Sequence, residues 1–351
     1  MNSYLSNKIK VLSFLSIILV LYIHSGFHEY PHEIAGMSFN IYMQELISGK
    51  IGRCAVLLFY AISGYLFFYN IENGIKDVWK KMKKRVRTLL IPYLIACLFL
   101  PIFLVIIECV PGIERFVNFD NFSENLKLPI WQLLVFLYFD SGTGSPCAFH
   151  LWFLRDLIII VTLSPILYWV RNSKASSWFV CLLLYGLSLL KLPLIPFYGL
   201  FWYMFGSYYL NSLRIIKYRT FVTLLFLVFC VVEMALPNWK VMFELVQIPI
   251  VLLGLISIWT WYDSIVPSSY DLCIHPLLST ACCFPFFIYL YHEPTINIIR
   301  KILVIPLGQT SLGFAFSYMV SPWLFAFCFI LIGVLLEKYA NVPYKILVGG
   351  R

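Results

Sequence analysis

Long apolar stretches separated by short polar segments run along the whole chain. Crossing the hydrocarbon core of a bilayer takes about 20 mostly apolar residues, and ten stretches approach or reach that length. The predicted spans are residues 9–27, 50–70, 88–110, 150–170, 176–191, 196–212, 220–237, 242–262, 277–298 and 313–336. A stretch at 129–141 is too short to cross and predicts a re-entrant or interfacial helix. The pattern therefore predicts an all-α, polytopic transmembrane bundle.

The composition excludes an ordinary soluble fold. Hydrophobic residues make up 61% of the chain and charged residues only 12%, whereas soluble domains carry about 25% charged residues. We expect residues 1–351 to form a single integral-membrane domain, with the lipid bilayer as a partner and no nucleic-acid partner. The oligomeric state stays open.

The basic residues predict the orientation of the spans. If the N-terminus lies inside, 17 of the 26 Lys and Arg residues fall on cytoplasmic segments and 7 on the opposite loops. Cytoplasmic segments of membrane proteins carry an excess of Lys and Arg. Both termini are therefore expected in the cytoplasm.

Several predicted spans carry an ionisable side chain near their outer end. His24 is the clearest case, because no other His, Asp, Glu, Lys or Arg lies between Lys10 and Phe27. An ionisable group at membrane depth is costly unless it is paired or faces a polar cavity, so its default interpretation is functional. The whole group comprises His24, Arg53, His150, Arg155, Asp156, His292 and Glu293. It predicts a polar cavity open to the outside, with scattered interfacial groups as the alternative.

A basic run, KDVWKKMKKRVR at 76–87, precedes the third predicted span. One interpretation is an anchor that binds anionic lipid on the inner side. The other is a phosphate site for a cytosolic donor, because Arg85 and Arg87 adjoin the span and Arg makes bidentate phosphate contacts. The ten cysteines show no CxxC motif and no Cys/His ligand spacing, so neither a disulfide nor a metal site is predicted.

Acyl transfer to an alcohol is a reaction that would use these groups. A hydroxyl needs a general base whose pKa lies near the working pH, and histidine supplies one. The developing oxyanion needs a fixed donor, which Arg or a backbone N–H can provide. The sequence contains no GxSxG nucleophile motif, so a serine acyl-enzyme of that type is not indicated.

Five segments together resemble the acyltransferase 3 family of polytopic membrane acyltransferases. They are VLYIHSG (20–26), AVLLFYAISGYLFF (55–68), KKMKKRVRTLLIPYLI (80–95), HLWFLRDLIIIVTLSPILY (150–168) and IYLYHEPTI (288–296). They occur in the family's order and cover nearly the whole chain. The closing YKILVGGR also resembles members linked to bacterial surface polysaccharides.

The resemblance implies a ten-span protein of the bacterial inner membrane. Its expected activity is O-acyl transfer, often of acetyl, from cytosolic acyl-CoA to a hydroxyl of an extracytoplasmic carbohydrate, a surface polysaccharide or glycolipid. It implies that His24 is essential, as general base or acyl relay, and that Arg85 and Arg87 serve the donor. The other ionisable residues of the group would orient substrate or stabilise charge: Arg53, His150, Arg155, Asp156, His292 and Glu293.

The chain departs from the family at one position. The family usually carries Arg or Lys eleven residues before the histidine, where this chain has Ser13. Lys10 lies about 40° from the face of His24 on a helix and is the candidate substitute in donor binding, whereas Lys8 falls on the far side. The alternative is that no basic residue is needed there.

Two other functions fit the same residues. A glycolipid or polysaccharide transporter or flippase would also use many spans and buried charges, although we find no internal repeat and no paired broken-helix segments. A non-catalytic assembly subunit would use the polar groups only to hold helices together.

Overall fold

The computed structural model describes residues 2–27, 37–109, 122–190, 195–214, 217–236 and 240–350. Within these ranges the chain is helical and contains no strand, which confirms the all-α prediction. The α-helices are α1 (Ser3–His24), α2 (Met37–Gln44), α3 (Arg53–Phe68), α4 (Ile75–Glu108), α5 (Phe122–Asn125), α6 (Ile130–Tyr138), α7 (Trp152–Thr162), α8 (Ser164–Arg171), α9 (Ser177–Leu189), α10 (Phe197–Tyr209), α11 (Arg219–Ala235), α12 (Lys240–Ile265), α13 (Pro276–Ala281), α14 (Pro285–Tyr291), α15 (Thr295–Val304), α16 (Ser311–Tyr339) and α17 (Asn341–Leu347).

The chain folds into two compact units, each made of two separate segments. Unit 1 consists of Met1–Val78 and Ser164–Pro285, and unit 2 of Trp79–Leu163 and Phe286–Arg351.

Five helices in the described part of the chain are long and apolar enough to cross a membrane. They are Ser3–His24, Ser38–Phe68, Ile75–Glu108, Leu245–Ile265 and Ser311–Tyr339. Phe149–Thr162 and Ser164–Arg171 could make a sixth span that is broken at Leu163. Such long apolar helices are typical of an integral membrane protein. The described part of the chain has fewer unbroken spans than the ten predicted.

Proline accounts for part of this difference. The predicted span 277–298 contains three helices, α13, α14 and α15, because Pro285 begins α14 and Pro294 directly precedes α15. Proline lacks an amide hydrogen and disfavours helical geometry in the residue before it, so a new helix starts at each point. A hydropathy window is insensitive to such breaks.

The short apolar stretch at 129–141 forms α6, a helix of 9 residues. A helix of this length covers about half of a hydrocarbon core, as the sequence predicted. Its placement relative to a bilayer stays a prediction.

The second predicted span differs from expectation at its beginning. Helix starts at Met37, between the first two predicted spans, and passes through a π-helical stretch, Glu45–Gly52, before α3. Three polar residues spaced four apart in this region, Asn40, Gln44 and Ser48, have buried side chains.

The core of unit 1 includes a close contact between α3 and α10. A Cβ added at Gly64 would overlap the Tyr203 carbonyl, and one at Gly206 would overlap the Ala61 carbonyl. Small residues allow two membrane helices to approach at the backbone. These glycines therefore fix α3, which continues from the π-helical stretch, against α10.

The C-terminal segment of unit 2 packs against α14 and α4. The ring of Tyr344 on α17 packs edge to face on Phe287, with centroids 5.7 Å apart. Gly349 has φ +69, and a Cβ there would overlap the Thr88 carbonyl of α4. Gly349 thus lets the backbone after α17 lie directly against α4.

Candidate functional site

His24 is the last residue of α1, and its side chain is half-buried. The helix starts after Asn2, whose side chain accepts a hydrogen bond from the Leu5 amide. At the other end the Ser25 hydroxyl donates to the Leu21 carbonyl at 2.7 Å. Because the last carbonyls of a helix lack helical partners, the surroundings of this end determine how firmly His24 is held.

The segment from Gln44 to Gly52 holds the end of α1. The Ser48 hydroxyl donates to the Tyr22 carbonyl at 2.7 Å, and the Phe27 amide donates to Gln44 Oε1 at 2.7 Å. A Cβ on Gly52 would lie 2.8 Å from Ile23 Cγ1, so Gly52 leaves the space that Ile23 fills. The backbone is therefore anchored on both sides of His24.

A cluster of three charged side chains holds the π-helical stretch in turn. Lys50 Nζ lies 2.8 Å from Glu233 Oε1 on α11 and 3.3 Å from Glu45 Oε1. The Lys50 side chain is only 10% exposed, whereas Glu233 and Glu45 are 24% and 39% exposed. This cluster was not predicted from the sequence.

The other end of α1 carries an ion pair that sequence analysis also missed. Lys8 is 1% exposed, and its Nζ lies 2.6 Å from Asp263 Oδ2 and 4.0 Å from the centre of the Trp259 ring. The Tyr4 hydroxyl donates to Asp263 Oδ1 at 2.6 Å. The helical wheel correctly placed Lys8 away from the His24 face, but that opposite face packs on α12. A lysine and an aspartate near the ends of two predicted spans were the available signal.

The predicted substitute, Lys10, is exposed. Arg53 is also exposed and begins α3 directly after the π-helical stretch. The role of Arg53 in the predicted polar cavity stays a prediction.

Unit 2 brings two of the predicted histidines together. The His150 ring, just before α7, and the His292 ring, just after α14, pack edge to face with centroids 4.8 Å apart. His150 is 3% exposed and His292 is fully buried. The Tyr289 hydroxyl donates to the His150 carbonyl at 3.0 Å and so joins the two segments.

The hydrogen bonds of the two rings assign their tautomers. A carbonyl can only accept, so His292 Nδ1, 2.8 Å from the Tyr289 carbonyl, carries a hydrogen, and in the neutral ring Nε2 carries the lone pair. By the same argument His150 Nε2 donates to the Leu290 carbonyl at 3.3 Å, which leaves the lone pair on Nδ1. The acid next in sequence, Glu293, is buried and accepts from Asn297 Nδ2 at 2.6 Å.

Arg155 and Asp156 form a pair that stabilises a loop. Two guanidinium nitrogens of Arg155, Nε and Nη2, donate to Asp156 Oδ1 at 3.0 and 2.8 Å. Its Nη1 donates to the carbonyls of Phe139 and Gly144 at 2.8 and 2.9 Å. These bonds engage four of the five guanidinium N–H groups. Arg155 is thus a scaffold residue in this structure, and Asp156 orients it.

The loop that Arg155 holds is the glycine-rich SGTGSP segment, 141–146. The amides of Gly142 and Gly144, both at positive φ, donate to Asp140 Oδ1 at 2.8 and 2.9 Å. Asp140 therefore accepts hydrogen bonds from both glycine amides. These amides are not available to bind a phosphate group, and the loop forms a closed turn.

The basic run is helical and belongs to α4, where Asp77 accepts from the amides of Glu72 and Asn73. Arg85 is half-buried and Arg87 is exposed. Two residues apart on a helix correspond to about 200°, so the two side chains cannot share one face. Arg87 lies on the face of Lys80, Lys83 and Lys84, and that face is the candidate phosphate surface of α4.

Comparisons with known proteins were consistent with these observations. A family profile described as an acyltransferase domain matches residues 7–337. The "Succinoglycan biosynthesis protein ExoH" of Rhizobium meliloti (strain 1021) is 24% identical over 196 residues, which cover 55% of this chain and 50% of that protein. The chain thus aligns with about half the length of this curated relative, and no solved structure matches. From the profile match across nearly the whole sequence, the chain belongs to the acyltransferase domain family, acyltransferase 3.

Proposed function

We propose that this chain is a membrane O-acyltransferase that moves an acyl group, expected to be acetyl, from cytosolic acyl-CoA to a hydroxyl of an extracytoplasmic carbohydrate. The observation that carries the proposal is the anchored end of α1, where Ser48 and Gln44 bond the backbone on either side of His24. A base must be held in place to act on a weakly acidic hydroxyl. Family membership supplies the reaction class.

In the proposed reaction His24 takes the proton of the acceptor hydroxyl as its oxygen attacks the thioester carbonyl carbon. The new C–O bond forms, the C–S bond breaks, and the CoA thiolate leaves with the proton held by His24. The alternative is that His24 accepts the acyl group first and passes it to the acceptor. A single-turnover reaction with labelled acyl-CoA and without acceptor separates the two, since only the relay leaves label on His24.

The donor is proposed to bind along the exposed cationic face of α4 that includes Arg87. CoA carries several phosphate groups, and cations concentrated on one helix face attract them. With both termini in the cytoplasm, this face would lie on the cytosolic side of a bacterial inner membrane. The same cations attract anionic lipid headgroups when no donor is bound, so only a donor-dependent measurement identifies the role of the basic run.

The carbohydrate acceptor is proposed from the relative's name, which assigns that protein to succinoglycan biosynthesis. The buried histidines of unit 2, His150 and His292, are assigned to orienting substrate, because buried ionisable groups in a membrane protein are by default functional. Arg155 and Asp156 are assigned to the loop they stabilise. We retain ten spans and a single acyltransferase domain as part of the proposal.

The test is a transfer assay with purified protein in lipid nanodiscs. Acyl-CoA labelled in the acyl group is mixed with candidate bacterial glycans, and label on the glycan is measured. An acyltransferase transfers label, whereas a transporter or flippase leaves all label on CoA. No transfer to any glycan of the host's envelope would contradict the proposal.

A further inference from the structure

Gln44 carries an amide group whose orientation is set by its surroundings. The Phe27 N–H donates to one end of the side-chain amide at 2.7 Å, so that end must be the oxygen, Oε1. The nitrogen, Nε2, therefore points the other way. The residue is 1% exposed, and Nε2 has no hydrogen-bond partner among the residues that the structure describes.

A buried amide nitrogen without a partner needs a physical explanation. Burial of a donor without an acceptor costs free energy, and most buried polar groups in native proteins are satisfied. One established reason for such a group is a task that begins when substrate binds. A glutamine N–H that awaits an oxygen is a typical oxyanion donor in acyl transfer.

The position of Gln44 fits that task. Its oxygen is bonded to the amide of Phe27, only three residues after His24, so the carboxamide lies beside the end of α1. Four residues further, Ser48 bonds the Tyr22 carbonyl on the other side of His24. The donor and the proposed base are thus attached to the same short piece of backbone.

The π-helical stretch gives this arrangement a fixed register. Positions five apart are about 140° from each other around an α-helix and would not meet, whereas π-helical i→i+5 bonding stacks them. Glu45 and Lys50 are five apart and paired at 3.3 Å, and Lys50 also binds Glu233 on α11. These two ion pairs hold the segment that follows Gln44 in place. π-Helical segments are frequent at functional sites.

We propose that Gln44 is a further catalytic residue, whose Nε2–H donates a hydrogen bond to the acyl carbonyl oxygen as negative charge develops on it. This inference rests on the proposed acyl transfer at His24. As the acceptor oxygen attacks, the C=O electron pair moves to the carbonyl oxygen and Nε2–H stabilises it. When the C–S bond breaks, the pair returns and the hydrogen bond weakens.

The test uses two variants that lack the Nε2 donor in different ways. Gln44→Glu keeps an oxygen for the Phe27 N–H, and Gln44→Met keeps the length of the side chain without polar atoms. We expect kcat to fall on the order of 100-fold or more in both, as for loss of one oxyanion donor, with KM for acyl-CoA within about 2-fold. Two variants keep the test valid if one of them does not fold.

A matched control is Ser257→Ala, which removes a buried hydroxyl that donates to the Leu253 carbonyl of its own helix. It should keep kcat. Isotope-edited infrared spectroscopy of bound ¹³C-acetyl-CoA gives a direct readout, because a hydrogen bond lowers the carbonyl stretching frequency. We expect that lowering in the wild type and its loss in both Gln44 variants.

Two results would overturn the assignment of Gln44. One is a folded Gln44 variant with kcat within about 3-fold of wild type, and the other is an unchanged carbonyl frequency. If His24→Ala is inactive while the Gln44 variants are fully active, only this inference fails. If His24→Ala is fully active, the proposed function of His24 fails first.

Discussion

The imidazole rings of His150 and His292 pack edge to face in unit 2, with centroids 4.8 Å apart and Nδ1 of His292 bonded to the Tyr289 carbonyl. His292→Asn keeps a nitrogen donor near the Nδ1 position but removes Nε2. His292→Gln places an amide near the Nε2 position. We therefore expect His292→Asn to raise KM for the acceptor roughly 10-fold, as for loss of one substrate hydrogen bond, and His292→Gln to raise it less.

The measurement is a set of initial rates against acceptor concentration at saturating acyl-CoA. Thermal unfolding of both variants controls for stability, because a purely structural histidine pair would lower Tm in both and leave KM unchanged. A wild-type KM in folded His292→Asn would contradict a substrate contact at Nε2.

The Lys8–Asp263 ion pair is predicted to be structural and to depend on both partners. Lys8→Met leaves the Asp263 carboxylate without its cation, and breaking a buried pair in this way costs about 3–5 kcal/mol. The double variant Lys8→Met/Asp263→Leu should recover most of that loss, since apolar pairs of similar volume replace buried ion pairs well. Thermal unfolding in nanodiscs measures both. Equal stability of the single and double variants would show that the pair is not coupled.

The Arg155 loop makes a prediction about thiol reactivity. Burial raises the pKa of the Cys147 thiol to about 12, so the thiol stays protonated at every pH below that value and reacts slowly with maleimide at pH 7–8. Arg155→Ala removes the bonds to the Phe139 and Gly144 carbonyls and should open the loop. We expect at least 10-fold faster labelling of Cys147, followed by peptide mass spectrometry.

Exposed Cys273 in the same protein is the internal reference, and its labelling rate should not change with Arg155. Raising the pH from 7 to 9 should increase Cys147 labelling, because the thiolate fraction rises with pH below the pKa. Unchanged Cys147 labelling in Arg155→Ala would mean that Arg155 does not hold the loop closed.

The two arginines of α4 are predicted to differ in donor binding. Arg87 shares its face with three lysines and is exposed, so Arg87→Ala should raise KM for acyl-CoA roughly 10-fold, as for one charge-assisted contact. Lys174→Ala removes an exposed charge elsewhere and should leave KM unchanged. Rates against acyl-CoA concentration at low and high salt measure the effect, which should shrink as salt rises. An equal effect of Lys174→Ala would indicate general surface charge instead.

Hydropathy predicted the helical class and the long apolar helices, because burial in lipid requires runs of apolar residues whatever their partners are. It overestimated unbroken spans where prolines divide a run, as at Pro285 and Pro294. It also missed the helix that begins at Met37. Gln44 and Ser48 are polar but buried there, because they form hydrogen bonds with the backbone at the end of α1. Spacing of four along Asn40, Gln44, Ser48 and Gly52 was the signal for that helix.

The candidate site was predictable in part for a similar reason. A costly histidine in an apolar helix identified His24, and the resemblance gave it a role. Pairing between distant segments is not visible in one sequence, so the Lys8–Asp263 pair and the Gln44 amide were missed. Nothing in the sequence indicates that the guanidinium of Arg155 bonds two loop carbonyls, and its expected role in orienting substrate or stabilising charge stays a prediction.

Acyl transfer by purified protein with and without His24 tests the central claim most directly. The measurement is the initial rate of label transfer from acyl-CoA to glycan by wild type, His24→Ala and His275→Ala, each shown to be folded by thermal unfolding. His275 is exposed and serves as the matched control. We expect a loss of at least about 100-fold in rate for His24→Ala, within the range of general acid–base catalysis, and a wild-type rate for His275→Ala. A wild-type rate for folded His24→Ala would contradict it.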